Sequence, residues 1–323
     1  MARTDARHQD DPGAGLRRRR AAIHHAAALL SATVVLSSAA AQEIEPRAYS
    51  ASPVGTNFAV LGYGNTSGDV VFDSSAPFTD VEAEVDTVSA AFGRVFALGG
   101  RQTSISVAAP YQWGEASGSV GEDRRSVARS GMGDLRLRVA TMLVGGEALA
   151  PREFAARKRG PSVGVSMVAV APTGQYVPSR LVNIGSNRWA AKPEVGLAWP
   201  RGPWQFDLHG GVWVFGDNDE FQGGNRRSQD PIWNMHAGVS YTLKPGTWAA
   251  LGGTWYAGGK TAVNGAEDDN RQDNFRLGAT VSTALGRGHS LKFTYSDGAV
   301  VRIGGDFRTF GVAWQYTFFD RPR

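Results

Sequence analysis

Near the end of the chain, Phe310 to Phe318 alternate large apolar side chains with small or polar ones. Phe310, Val312, Trp314, Tyr316 and Phe318 stand against Gly311, Ala313, Gln315 and Thr317. A strand sends successive side chains to opposite faces, so this segment has one greasy face and one small, polar face. Two architectures accept such a strand. In a soluble sandwich the apolar face is core and the polar face meets water. In an outer-membrane barrel the apolar face meets lipid and the polar face lines the lumen.

Eleven further segments carry strand patterning: Asn57–Tyr63, Val85–Leu98, Thr103–Trp113, Asp134–Leu143, Val163–Ala171, Glu194–Trp199, Trp204–Val214, Trp233–Leu243, Trp248–Tyr256, Phe275–Leu285 and Leu291–Tyr295. The phase is cleanest in Trp233–Leu243 and poorest in Asn57–Tyr63. Val163–Ala171 is apolar on both faces. In Val85–Leu98, Arg94 shares the face of Val88, Phe92 and Phe96, so it must sit near an interface or snorkel to one. The closing strand brings the total to about twelve, an even number, as single-chain bacterial barrels require.

The connections decide between the two architectures. Gly99–Arg101, Pro200–Pro203, Lys244–Gly246 and Gly286–His289 are short. Tyr63–Glu84, Gly114–Ser130, Thr173–Arg188, Gly216–Pro231, Ala257–Asp273 and Asp297–Arg308 are long and polar. Outer-membrane barrels have this asymmetry, with short periplasmic turns and long external loops. Val144–Pro161 breaks the rhythm: it is either a periplasmic excursion or a sign that the strand count is off by two. Aromatics gather at strand ends (Trp113, Tyr111, Trp199, Trp204, Trp233, Tyr241, Trp248, Tyr256, Phe318 and Phe319), which suits an interfacial girdle.

No run of about 18 apolar residues occurs after residue 41, so a helical membrane protein is excluded. The chain has no cysteine, which removes disulfides, thiolate nucleophiles and cysteine-bound metals. At the N-terminus, Arg17–Arg20, the small and apolar Ala21–Leu36, and Ala39-Ala40-Ala41 before Gln42 read as a secretory signal. Its removal takes away six arginines and three aspartates, and the formal charge falls from +4 to about +1. The basic balance therefore belongs to the signal and gives no support to nucleic-acid binding. The reading is a signal peptide over 1–41, a periplasmic N-terminal segment over 42–56, a transmembrane barrel over 57–319 and a tail over 320–323.

Several motifs carry a family resemblance. Glu45-Pro46-Arg47-Ala48-Tyr49-Ser50 and Pro53-Val54-Gly55-Thr56-Asn57 look like one family's start. Gly131-Met132-Gly133-Asp134 precedes a strand, Ala171-Pro172-Thr173-Gly174 ends one, and Asn183-Ile184-Gly185-Ser186-Asn187-Arg188-Trp189 forms a loop; Asn218-Asp219 and Asp230-Pro231 follow. In this order and spacing the chain resembles the outer-membrane transporter family of the MetA-pathway of phenol degradation, over nearly the whole length after the signal. The resemblance implies an outer-membrane β-barrel and a channel linked to aromatic compounds, and supplies no catalytic residues. The chain departs from the pattern after Phe319, where Asp320-Arg321-Pro322-Arg323 follow; barrels commonly end on an aromatic.

Strand phase puts a charged set in the lumen: Asp134, Arg136, Arg138, Glu194, Asp207, His209, His236, Arg276 and Lys292. Such a set either forms a constriction that selects permeants or fills a narrow barrel with paired charges. Gly131-Met132-Gly133 is not a dinucleotide motif, because it lacks a third glycine and precedes a strand; it reads as a bulge or turn. No G-x-S-x-G occurs, and His209 and His236 point away from a lipid substrate, so a lipid or ester hydrolase is the weakest reading. No histidine pair has metal-ligand spacing on a helix. Asp217-Asn218-Asp219-Glu220 and Asp268-Asp269-Asn270 are acidic loop clusters that could offer oxygen ligands to Ca²⁺ or simply be solvated. The expectation is an all-β antiparallel barrel of the bacterial outer membrane, passing small solutes with no cofactor. Its partners are lipid, a small-molecule solute and the barrel-assembly machinery, with no nucleic acid. A closed structural or binding barrel is the alternative.

Overall fold

The computed structural model describes residues 45–68, 79–120, 123–180, 182–302 and 306–320. The signal segment 1–41 lies outside them. The barrel strands are β1 (Thr56–Gly68), β2 (Thr79–Leu98), β3 (Arg101–Val120), β4 (Asp123–Met132) with its continuation β5 (Leu135–Val144), β6 (Ser162–Ala171), β7 (Ala190–Arg201) and β8 (Trp204–Phe215). A small sheet intervenes with β9 (Asn218–Phe221) and β10 (Asn225–Gln229). The barrel resumes with β11 (Ile232–Lys244) and β12 (Thr247–Gly258), and the small sheet is completed by β13 (Thr261–Val263) and β14 (Ala266–Glu267). The last barrel strands are β15 (Gln272–Gly286), β16 (His289–Val300) and β17 (Phe307–Phe319).

Each barrel strand pairs antiparallel with its neighbours, and β1 pairs with both β2 and β17, so the sheet closes on itself. β4 and β5 occupy one place in the circuit, both lying against β3, which makes twelve strands. Closure leaves no edge in the hydrocarbon layer, where an unpaired peptide group costs several kcal/mol. The zigzag phase holds around the barrel. Leu251 is 63 % exposed, Trp233 61 % and Leu61 53 %, whereas Gln315, Thr317, Ser240 and Thr280 on the other face are buried.

All twelve strand segments read from the sequence are present, and the structure extends most of them. β2 and β3 run twenty residues each. Their upper halves, with β4, rise as a ribbon whose outer face is charged, for example with Arg124 on Glu82 at 2.9 Å. That stretch lacks apolar alternation because it stands in water. The Val144–Pro161 irregularity resolves as an excursion containing a short helix, α1 (Pro151–Ala156), so the strand count stands. Pro151 starts the helix, and Glu153 accepts a hydrogen bond from the Ala150 amide at 3.0 Å.

Of the strand-end aromatics, Trp113, Tyr111, Trp199, Trp204, Trp233, Tyr241 and Phe318 face outward. Trp248 and Tyr256 do not: both are 1 % exposed and fill the lumen. Their glycine- and alanine-rich strand has no apolar face strong enough to fix its phase from sequence.

The break between β4 and β5, at Gly133-Asp134, is where three of the sequence motifs meet. Asp134 accepts hydrogen bonds from the Gly174 amide at 2.8 Å and from the Ser186 amide and hydroxyl at 2.9 and 2.6 Å. Thr173 Oγ1 takes the Leu135 amide at 3.0 Å, and the Gln175 amide donates to Met132 O at 2.8 Å. The loop after β6 thus replaces the ladder that the break interrupts. Gly131 leaves room for Gln175: a Cβ there would stand 1.6 Å from Gln175 Oε1.

Asp320 fastens the seam. Its amide donates to Gly55 O at 2.9 Å, and its carboxylate accepts from Asn57 Nδ2 at 2.9 Å and from Arg94 at 2.7 Å. This partner explains how Arg94 is tolerated on the outer face. Both charged groups are near half exposed, so solvent screening keeps the ion pair weak. Asp320→Ala is expected to cost about 1 kcal/mol, seen as a lower midpoint in urea unfolding of the folded barrel in detergent. An unchanged midpoint would remove the latch.

Candidate functional site: the lumen

Residues 45–55 run inside the barrel at its short-turn end. They are held by the wall rather than by secondary structure of their own. The Val54 amide donates to Leu149 O and the Gly55 amide to Val95 O. Ser52 N donates to Gln102 Oε1 at 2.6 Å, and Ser162 Oγ to Tyr49 O at 2.8 Å. Arg47 donates through Nε to Ser240 at 2.8 Å and through Nη2 to Thr242 at 2.9 Å, with its guanidinium 4.6 Å from the centre of the Trp248 ring. Burial pulls the Arg47 guanidinium down to about 10 while Asp207 opposes the change, so the group stays charged at neutral pH.

Tyr49 is the centre of this segment. It is 1 % exposed, and its hydroxyl bonds Ser166 Oγ and donates to Glu194 Oε1, each at 2.9 Å. Its ring lies where the wall has no side chains. A Cβ at Gly196 would stand 2.0 Å from the ring and one at Gly164 2.9 Å. The two glycines sit opposite each other on β6 and β7, so the wall carries a recess that fits the ring.

Glu194 gathers the charges of that side. Lys192 Nζ lies 3.0 Å and His209 Nδ1 3.3 Å from Glu194 Oε2. His209 stacks on His236 with ring centres 4.5 Å apart, and His236 Nδ1 bonds Thr254 Oγ1 at 2.8 Å. Asp207 accepts from Gln205 at 2.8 Å and from the Arg47 amide at 3.3 Å. Arg276, wholly buried, donates to Phe307 O at 2.8 Å and Ser296 Oγ at 3.1 Å, and its guanidinium sits 3.8 Å from the Phe307 ring centre. Above the cluster, Val168, Val170, Trp213, Ile232 and Tyr256 pack as an apolar block.

The opposite arc is different. On β16, β17, β1, β2 and β3 the inward positions include the small Thr294, Gly311, Ala313, Gly62, Ala91 and Ala108, together with the buried Phe58 and Val60 of β1. The Phe58 ring lies over Gly93, where a Cβ would stand 2.0 Å from it. Three inward cations are only partly buried: Arg136 and Arg138 on β5, next to this arc, and Lys292 on β16 within it. The Arg136 guanidinium is 5.9 Å from the Trp213 ring centre and that of Arg138 5.4 Å from the Tyr49 ring centre. The inward side chains are therefore bulkier and more highly charged from β6 to β15 than on this arc.

The sequence-derived set divides accordingly. Glu194, His209 and His236 form one buried cluster, Asp207 serves the N-terminal segment, and Arg276 is tied to the wall at Phe307. Arg136, Arg138 and Lys292 point inward and are only partly buried, and Asp134 holds the strand break. Sequence reasoning passed over Lys192 and Trp213, although the same parity that selects Glu194 and His209 selects them. It had no means of finding Arg47 and Tyr49, which lie outside any alternating strand. The acidic loop clusters are used locally. Asp217 and Asp219 pair with Arg226, Asp269 with Arg302 at 3.1 Å, and Asp268 accepts from Thr261 at 3.1 Å. Among the described residues no group of three or more acidic or histidine side chains could hold a metal ion.

A family model described as "Putative MetA-pathway of phenol degradation" matches residues 62–318. Among solved structures, the COG4313 outer membrane channel from Pseudomonas putida F1 superimposes with a TM-score of 0.71 at 22% identity, covering 85% of this chain and 100% of that one. The KdgM porin aligns at a TM-score of 0.43 with 7% identity, over 80% and 99% of the two chains. The CymD monoaromatic hydrocarbon channel gives 0.42 with 8% identity, over 84% and 90%. No curated protein matches the sequence.

The recess at Gly196 generates a test. Gly196→Ala is expected to expel the Tyr49 ring and release the N-terminal segment. Trypsin should then cleave after Arg47, which is 3 % exposed in the folded protein, while the barrel keeps its heat-modifiable mobility on a gel. Gly160→Ala, whose Cβ would meet nothing within 4 Å, should leave that bond resistant.

Proposed function

The chain belongs to the family of the MetA-pathway of phenol degradation, and from that premise we propose that it is a channel of the bacterial outer membrane passing small solutes, aromatic ones among them, by diffusion. One observation carries this reading. Arg136, Arg138 and Lys292 point inward and are only partly buried, whereas the inward acids Glu194 and Asp207 are buried at 6 % and 5 %. A solute in the lumen therefore meets a field biased to positive sign. The partners that go with the reading are lipid around the outer face, the barrel-assembly machinery during insertion, and the solute itself.

A second reading, a closed barrel, draws on the N-terminal segment that occupies the short-turn end. Single-channel recording separates the two. Purified protein in a planar bilayer is expected to give discrete conductance steps that favour anions over cations. The preference should weaken at 1 M salt, where the Debye length falls to about 3 Å. Replacing Arg136 and Arg138 together by glutamine should move the reversal potential toward the cation side. Unchanged selectivity would refute the lumen assignment, and a folded barrel without steps would favour the closed one.

A further inference from the structure

Above the break between β4 and β5, the loop that follows β6 folds back and helps to wall a cavity of about 320 Å³. Arg129 of β4 lines it together with Tyr176, Val177, Arg180 and Ile184 of the loop. Hydrogen bonds hold this wall in place. The Val177 amide donates to Asn183 Oδ1 at 2.8 Å, and Asn183 Nδ2 donates to Val177 O at 3.2 Å and to Arg180 O at 2.9 Å. Arg129 Nε donates to Val182 O at 3.2 Å, which ties the strand to the loop. Asn218 Nδ2 donates to the Tyr176 hydroxyl at 2.9 Å, which ties the loop to β9. Arg180 is fixed through its backbone, where its amide donates to Val177 O at 3.0 Å, and the residue is exposed. Two guanidinium groups thus border one cavity, and none of its described lining residues is acidic. Loss of hydration, and then the like charge of Arg180, hold the Arg129 guanidinium below its ordinary value. Other loop arginines are arranged differently: Arg226 meets Asp217 and Asp219, and Arg302 meets Asp269.

We propose that this cavity binds a small one-ring aromatic acid, with its carboxylate at Arg129 and Arg180 and its ring against Tyr176, Val177 and Ile184. A guanidinium offers a fork of donors that matches a carboxylate, and an anion there offsets the repulsion between the two arginines. The ring and the two branched aliphatic side chains supply the apolar surface that a charged site lacks by itself. The volume stands at the lower end of the range for small-molecule sites, which suits one ring rather than several. The cavity lies at the long-loop end of the barrel, so it gathers such an acid at the mouth. This goes beyond the channel reading, because a cavity under a loop binds whether or not the barrel conducts.

The test uses the full-length folded protein in detergent at fixed ionic strength, with benzoate as probe. Phenol supplies the ring without the charge, and acetate the charge without the ring. Calorimetry is expected to show benzoate binding more tightly than either. Arg180→Gln and Arg129→Gln should each weaken benzoate about tenfold. Arg226→Gln, which removes a loop arginine outside the cavity, should change nothing. Arg180 is exposed, so its replacement leaves the fold intact even where that of Arg129, bonded to Val182 O, loosens the loop. Heat-modifiable mobility on a gel checks the barrel in each case. Benzoate affinity that is absent, or equal in the wild type and Arg180→Gln, overturns the site. So does an equal loss in Arg226→Gln. Phenol binding as tightly as benzoate overturns the role of the arginines, and acetate doing so overturns that of the apolar wall. Planar-bilayer recording is separate: a barrel that binds benzoate in the expected order yet never conducts keeps the site and loses the channel.

Discussion

A peptide group that enters a bilayer must find its hydrogen-bond partner within the protein, and the whole structure follows from that requirement. The sheet has to close, so the first strand must meet the last. Thirteen register pairs join β1 to β17, from Thr56 opposite Phe319 to Gly68 opposite Phe307. Where the ladder is interrupted, at Gly133-Asp134, a carboxylate and a returning loop supply the missing partners. Once the backbone is satisfied, the outward side chains need only be apolar, and the inward ones are free to do something else.

What they do differs from one side of the barrel to the other. Bulky and charged side chains from β6 to β15 interlock with the inserted N-terminal segment. Each buried charge there has an opposite charge or hydrogen bonds: Glu194 with Lys192 and Tyr49, Asp207 with Gln205, Arg47 with Ser240 and Thr242. An unpaired charge at such a depth would cost several kcal/mol, so filling this half is an all-or-none arrangement. The other half carries smaller inward side chains and few charges, so it makes no such demand.

Most of the architecture was legible in the residues because lipid imposes a simple rule on alternate positions. Every strand segment was placed, down to the glycine-poor alternation of Phe310–Phe318. The rule fails where its cause is missing. Above the membrane, in the upper halves of β2, β3 and β4, both faces meet water or protein, so the strands outrun their apolar pattern. In Trp248–Tyr256 the glycines and alanines leave the phase open, and the two aromatics turned out to face inward. Residues 45–55 have no periodicity at all; their place depends on a recess made by Gly164 and Gly196, two positions more than a hundred residues away. Reading parity alone also gives every inward charge equal weight, and the structure separates those that are fully buried, such as Arg276 and His236, from those that are only partly so, such as Arg136 and Lys292.

Gly55 is hydrogen-bonded at both its amide and its carbonyl, to Val95 and to Asp320, so the inserted segment is moored where the barrel closes. It is held again at Ser52, Tyr49 and Arg47, by bonds to β3, β6, β7 and β11. Strands far apart in the circuit are thereby cross-braced through the interior, so the barrel cannot flatten or widen at this end without breaking several of these bonds together.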